Sequence, residues 1–312
     1  MLASNVAAAP VSAQSYPEKP IRLVVPFGPG GPTDIIARTL AHKLTGSMKQ
    51  TVFVDNRAGA SGVIGTTFAA KSPPDGYTMV LIGVGVLTIN AALSAKLPYD
   101  TLKDLAPVSI LSAAPNLLVV HPSLPVRSLQ QLIALAKTRP GDLNYASGGP
   151  GYQLGMEHLK EQTGMNIVYI PYKGAGLAMN DLVAGHVQVM MVNMIAGLTL
   201  AKSGRVRALG VTSAQRSEFA PELPTLAETG APEVDIIGRH LLLVPAGLPR
   251  DIITRLHQET ANALQTPEVK ERLAAEGSRA VGSTPEQAAA AVQAELTRWT
   301  RLVKRLGLTA EQ

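Results

Sequence analysis

The stretch from Ile21 to Arg38, IRLVVPFGPGGPTDIIAR, holds the residues best placed to do chemistry. An apolar strand enters a Gly/Pro loop and passes straight into a helix. Such a turn aims unpaired backbone N–H groups at one spot, with the positive end of a helix behind them. It binds an anion without any charged side chain. Three more Gly-rich turns, Asn56–Gly62, Ser147–Gly151 and Lys173–Gly176, each follow an expected strand and precede an expected helix. Glycine in any one of them makes no more than a tight turn. Several facing one cleft form a cage of donors for carboxylate oxygens.

Catalytic patterns are missing. Glu157-His158 lacks the rest of HExxH, Ala60-Ser61-Gly62 only brushes against G-x-S-x-G, and no Walker A sequence occurs. His42, His121, His158, His186, His240 and His257 show no metal-ligand spacing. One enzyme motif stays open. Gly28-Pro29-Gly30-Gly31-Pro32-Thr33 precedes a helix, and a second strand ends at Asp55, near where a dinucleotide fold places its ribose acid. Thr33 stands where the third glycine belongs, and two prolines crowd the turn. A nucleotide-dependent oxidoreductase is therefore the alternative reading.

The elements that position these turns follow from pattern. Strands are expected at Ile21–Pro26, Thr51–Asp55, Thr78–Ile82, Val108–Leu111, Leu117–Val120, Asn166–Ile170, Val187–Val192, Val206–Val211 and Leu241–Val244. Helices are expected at Pro32–Thr45, Gly62–Ala70, Ser128–Lys137, Gln153–Gln162, Gly176–Ala184, Ile195–Lys202, Pro249–Leu264 and Pro285–Leu306. The alternation predicts an α/β fold with parallel sheets and covering helices. Thr284-Pro285-Glu286-Gln287 predicts a capping box, and Val292, Leu296, Trp299, Val303 and Leu306 form the stripe behind it. Pro115–His121 and Gly238–Pro245, extended and without helices of their own, predict two crossings between lobes.

Composition narrows the class. Of 312 residues, 46% are hydrophobic and 16% charged, which suits globular domains with substantial cores. The net charge of +5 is scattered and only 4% of residues are aromatic, so no nucleic-acid platform is expected. The absence of cysteine excludes disulfides and thiolate sites. The longest apolar run, Val80 to Leu93, is too short to span a bilayer. Residues 1–15 read as the remnant of a secretory signal peptide with an A-x-A-like site at Val11-Ser12-Ala13, predicting a mature chain outside the cytoplasm.

Together the motifs match a known pattern. Tyr16-Pro17, Val25-Pro26-Phe27 to Asp34, Asp55 to Ala60, Pro74-Asp75-Gly76-Tyr77, Leu97-Pro98-Tyr99-Asp100, Pro171-Tyr172-Lys173-Gly174, Arg207 to Thr212 and Pro245 to Pro249 occur in family order. The chain resembles the Bug (TctC-type) periplasmic solute receptors of tripartite tricarboxylate transporters. The resemblance implies a two-lobed, type II periplasmic-binding-protein fold that closes on its ligand, with no catalysis and no cofactor. It implies lobe one at residues 16–118 plus 242–312 and lobe two at 119–241. The implied grip on a carboxylate is Phe27, Gly30, Gly31 and Thr33 in lobe one, and Ser147, Gly148, Gly149, Lys173, Gly174 and Ala175 in lobe two. Asp34 is expected to organise the helix start.

Departures from the pattern bear on specificity. Val84–Thr88 makes an apolar wall, with Val86 and Thr88 toward the ligand. Asn193, Arg239 and His240 complete the expected set, Arg239 as a fork for a second carboxylate. The reading is a monomeric periplasmic binding protein for a small dicarboxylate with an apolar or aromatic body, of the terephthalate type, which delivers to membrane transporter subunits. A ligand-responsive signalling receptor is the further alternative.

Overall fold

The computed structural model describes residues 16–94, 96–172 and 175–308. The segment read as a signal remnant therefore lies outside the described residues. Lobe one opens with β1 (Ile21–Val25), α1 (Pro32–Met48), β2 (Val52–Asn56), a 3-10 turn at Ala60–Gly62, α2 (Val63–Ala70), β3 (Thr78–Gly83) and α3 (Val84–Leu93). The long β4 (Leu105–Val120) leads to α4 (Leu129–Thr138), β5 (Asn144–Ser147), α5 (Pro150–Thr163), β6 (Val168–Pro171), α6 (Ala175–Ala184), β7 (Val189–Asn193), α7 (Met194–Lys202) and β8 (Arg207–Val211). Then β9 (Ile237–Pro245) returns, followed by α8 (Arg250–Gln265), α9 (Pro267–Ala275), β10 (Arg279–Ala280) and α10 (Pro285–Leu306).

The sheet runs β2-β1-β3-β9-β4-β7-β5-β6, with β8 and β10 also on β4. β1 pairs in parallel with β2 and β3, and β5 with β6 and β7. The two crossing strands break the parallel rule. β9 is antiparallel to β3 and β4, and β4 is antiparallel to β7 and β8. Each lobe has the same order: second strand, first, third, a crossing strand, then a fourth. In lobe one that is β2-β1-β3-β9-β4; in lobe two, β6-β5-β7-β4-β8. The chain thus builds one topology twice, with no repeat visible in sequence.

The expected segments Val108–Leu111 and Leu117–Val120 belong to one strand. β4 pairs with β9 through Pro115 and with β7 from Asn116 onward. We propose the lobe boundary at that change of partner and at the start of β9. The clusters follow the lobes: Leu23, Ile36, Leu40 and Leu81 pack below β1–β3, and Leu118, Leu132, Tyr145 and Met191 around β5–β7. A fifth cluster joins the lobes, made of Ile89 on α3, Leu154 on α5, and Trp299, Leu302 and Val303 on α10.

The capping box at Thr284 and Gln287 is present, and α10 ends at Gly307 as the sequence predicts. Leu306 does not join the core and is exposed. α2 sits tightly on the end of β1. A Cβ at Gly65 would lie 2.7 Å from the Arg57 carbonyl oxygen and 2.8 Å from Pro26 Cα, both backbone atoms. Gly65→Ala is expected to destabilise the protein by about 1–3 kcal/mol, read as a lowered urea midpoint with an unchanged m-value.

Candidate functional site

β1–β3 run with β4 toward lobe two and β5–β7 run back toward lobe one, so the turns after β1, β2, β3, β5, β6 and β7 border one cleft between the lobes. The helices starting there share a feature. Gly31, Gly62, Gly83 and Gly149 are the N-cap residues of α1, α2, α3 and α5, and none supplies a side-chain cap. In α2 the Val63 and Ile64 amides bond the carbonyls of Ala60 and Gly59 in the preceding turn, whereas the first-turn amides of α1, α3 and α5 take no side-chain cap. A Cβ at Gly28, Gly31 or Gly149 would meet nothing within 4 Å, so these three positions have open space beside them.

Asp34 builds the first turn. Its buried carboxylate accepts hydrogen bonds from the Gly30 amide at 2.9 Å, Arg38 Nε at 2.9 Å and Asn56 Nδ2 at 2.8 Å. Asn56 also donates to the Phe27 carbonyl at 3.1 Å. Burial alone raises the Asp34 pKa. The bonds from Arg38, Gly30 and Asn56 outweigh it and hold the carboxyl below the usual range. The loop's free donors begin at Gly31, because the Gly30 amide is spent on Asp34. Gly30 keeps a structural reason to be glycine, its φ of +87°.

Lobe two presents a matching corner. Ser147 is buried, and its hydroxyl donates to the Gly149 carbonyl at 2.6 Å and accepts from the Gly149 amide at 3.2 Å. It shapes the loop rather than facing the cleft. A Cβ on Gly148 would overlap Ala175, so the turns after β5 and β6 are in contact. Lys173 and Gly174 lie outside the described residues. Asn193 is exposed, and its side chain caps α7 by accepting from the Ala196 amide at 2.8 Å.

The wall after β3 is narrower than expected. Val84, Leu87 and Thr88 are fully buried, and the Thr88 hydroxyl donates to the Val84 carbonyl at 2.9 Å. Thr88 therefore leaves the candidate ligand set. Only Gly85 and Val86 keep exposed surface there, and a Cβ on Gly85 would meet nothing within 4 Å.

Arg239 and His240 are neighbours in β9 and so point to opposite faces. His240 Nε2 lies 3.3 Å from Thr33 Oγ1, and its Nδ1 3.1 Å from Ser112 Oγ. It joins the first turn to the hinge. Its ring keeps a little open surface but is crowded by protein atoms, and desolvation draws its pKa down to about 4. It is a neutral partner at neutral pH. Ser112 escaped the sequence reading, although it is the direct cross-strand partner of His240. Arg239 turns the other way, to α10. It donates to buried Glu295 at 2.8 Å and lies 3.6 Å from Asp235. Burial pushes the Glu295 carboxyl up, and Arg239 offsets this only in part. The guanidinium expected to clamp a second carboxylate already holds two of the protein's own. Asp55 is similarly engaged, 2.8 Å from Arg57 and 3.5 Å from Arg22, rather than standing free for a ribose.

Among the described residues no group of His, Asp and Glu is arranged to hold a metal ion. A pocket of about 600 Å³ between Lys71, Tyr99, Asp104 and Leu296 contains none of these site residues.

Two outcomes check this account. Arg239→Ala is expected to cost about 2–4 kcal/mol of stability, because it leaves Glu295 buried and unpaired, while Glu295→Gln in the same background restores part of it. Asp34→Asn is expected to lower Tm most at neutral pH. The Asp34 pKa is depressed on folding, so its stabilisation is present above the ordinary carboxyl range near ~3.9 and is lost as pH falls through the lower folded value. The Tm gap between the variant and the unaltered protein should therefore close on acidification.

The sequence comparisons agree with this geometry. The profile described as "Tripartite tricarboxylate transporter family receptor", TctC, matches residues 36–308. Protein BugT of Bordetella pertussis is 43% identical over 303 residues, spanning 96% of this chain and 93% of its own. An R. palustris protein solved with adipate superposes with a TM-score of 0.79 at 35% identity, covering 94% of this chain and 99% of that one. MatC from Rhodopseudomonas palustris, solved with malate, gives 0.74 at 29% identity over 92% and 100%. With its cleft of uncapped turns between two equivalent lobes, the chain belongs to the TctC receptors, the periplasmic solute-binding component of tripartite tricarboxylate transporters and a family of receptors rather than enzymes.

Proposed function

We propose that this receptor captures a small dicarboxylate whose body is hydrocarbon, aliphatic or aromatic, and presents it as a monomer to membrane transporter subunits. The observation that carries the reading is the set of glycine N-caps without side-chain caps around one cleft. Amides of the turn at Gly31 and Thr33, together with those of Gly151 and Tyr152 after the turn at Gly149, whose own amide bonds Ser147, would hold one carboxylate. Thr33, fixed by His240, would add a hydroxyl. Gly85 and Val86 would face the ligand's body. They offer no hydrogen-bonding side chain, which disfavours acids carrying hydroxyl groups.

The adipate seen in one relative supports a hydrocarbon body, and the malate seen in another marks the competing class. Arg239 is withdrawn as the clamp on the second carboxylate, because Glu295 and Asp235 hold it. Export to the periplasm through the segment read at residues 1–15 belongs to the same proposal.

Isothermal titration of the purified chain against adipate, terephthalate, malate and citrate tests it. Adipate or terephthalate should bind at least about tenfold more tightly than malate or citrate. Tightest binding to malate or citrate overturns the hydrocarbon-body reading. Binding of NAD(P) with no acid bound overturns the receptor assignment for this cleft.

A further inference from the structure

Beside the cleft, α3 of lobe one already touches α5 of lobe two. Ile89 of α3 is 4% exposed, and it packs with Leu154 of α5 in the cluster that α10 completes with Trp299, Leu302 and Val303. It also reaches the start of α5. A Cβ at Gly151 would lie 3.7 Å from Ile89 Cδ1, an ordinary van der Waals separation. Gly151 is in the first turn of α5, and its amide is one of the donors assigned above to the carboxylate. Ile89 lies one turn beyond Gly85 and Val86, which were assigned to the ligand's body, on the same face of α3. One short helix therefore carries both the apolar wall and the seat of the opposing grip.

The contact is fixed from behind. Within lobe one, Asn90 ties α3 to the turn before α2, donating to the Ser61 carbonyl at 2.9 Å. α10 packs along α3 and meets α5. On α10, Glu295, Arg298, Leu302 and Arg305 recur every three or four residues and share one face. Each ties α10 toward lobe two or to the strand arriving from it. Glu295 accepts from Arg239 at 2.8 Å, Arg298 Nη1 donates to the Asp235 carbonyl at 2.7 Å, Leu302 joins the cluster with Leu154, and Arg305 pairs with Glu161. The polar ties hold α10 in place, and the apolar filling between them sets how closely α3 and α5 approach. A close-packed filling of this kind registers the loss of a single methyl.

We infer that Ile89, backed by Leu302, is a positioning residue for the binding cleft: it seats the first turn of α5 against α3 and so sets the gap in which the acid is held. Neither side chain is assigned a contact with the acid. The inference rests on the receptor reading above, because the α5 amides that Ile89 positions are those assigned to the carboxylate. A gap held by packing is set before the acid arrives, so binding does not have to supply that ordering. Loosening the packing lowers the fraction of molecules with the turns correctly opposed, and the apparent affinity falls by the same fraction.

Isothermal titration of the full chain with whichever of adipate, terephthalate, malate and citrate binds it tests the inference. Ile89→Val deletes the Cδ1 methyl that faces Gly151 and should weaken that acid about threefold, and Leu302→Ala should weaken it about tenfold. Adding Gly151→Ala to Ile89→Val returns a methyl to the space between the helices with the amide retained, and should recover part of the loss. Leu132→Ala makes the same truncation in a buried cluster that lies wholly within lobe two. It should lower Tm yet leave affinity within about twofold, because its site is independent of the α3–α5 contact. Each variant is titrated where circular dichroism shows it folded; if Leu302→Ala does not fold, Ile89→Val decides. Ile89→Val binding as tightly as the unaltered chain overturns the inference alone. A loss in Leu132→Ala equal to that in Leu302→Ala overturns it too, because stability then accounts for both. If none of the four acids binds the unaltered chain, the dicarboxylate reading falls first and the inference falls with it.

Discussion

Helix-start amides without internal partners are the constraint around which this molecule is arranged. A side-chain N-cap stabilises a helix by about 1 kcal/mol, and glycine supplies no such bond. α4 and α10, which begin away from the cleft, take their caps from Ser128 and Thr284. α1, α2, α3 and α5 begin at the cleft with glycine and no side-chain cap. α7 departs from this, because Asn193 caps it, and so do α8 and α9, which start away from the cleft without a side-chain cap. Glycine at four cleft-side helix starts gives up side-chain caps that stability alone would favour. Asp34 keeps the first turn in shape from behind. A buried carboxylate in that position would compete with a ligand if it faced forward. Its oxygens are instead turned to Gly30, Arg38 and Asn56, which leaves Gly31 and the residues after it free.

The hinge solves a second problem with the same strand geometry. A crossing strand has to pass between lobes with no helix to cover it, and its two faces meet different surroundings. On β9 the face of His240 looks to the first turn and the face of Arg239 looks to α10. One residue of spacing thus separates a neutral site component from a buried ion pair. α10 reaches further, packing Trp299, Leu302 and Val303 with Leu154 of lobe two. Arg305 near its end pairs with Glu161 of α5. β4, β9 and α10 are thus among the elements that tie the two lobes together.

Much of this was legible in the sequence, and the failures have physical causes. The turn at Gly28–Thr33 and the capping box at Thr284 are local chemistry, so residue type and spacing were enough to place them. α3 was missed because Val84–Leu93 is apolar on nearly every side, with three glycines or small residues and no helical stripe to separate it from β3. β5 was missed because Asn144–Ser147 is four residues long with polar ends. β4 was split because Ser112 to Asn116 interrupts its apolar run, although those residues lie in the crossing where partners change. Thr88 and Arg239 were misplaced for a common reason. Their types suit a ligand, but type does not report direction. Thr88 bonds its own helix, and Arg239 answers a glutamate 56 residues away. No local signal joins Arg239 to Glu295, just as none joins His240 to Ser112.

What remains is how such a cleft tells one acid from another. Backbone amides at helix starts recognise a carboxylate generically, so they grip malate and adipate alike. Discrimination has to come from the surfaces around the rest of the ligand. Of the polar side chains around the first turn, Asp34, Arg38 and Asn56 are bonded to one another and to the loop, and Thr33 and His240 are bonded in a chain that ends on Ser112. His240 is neutral, so it brings no charge to the anion. A ligand hydroxyl lying against Gly85 and Val86 would exchange water for no partner, and an unpaired buried hydroxyl costs on the order of 1–3 kcal/mol. A methylene in the same place loses nothing and gains burial. That difference alone is enough to separate the two classes by an order of magnitude.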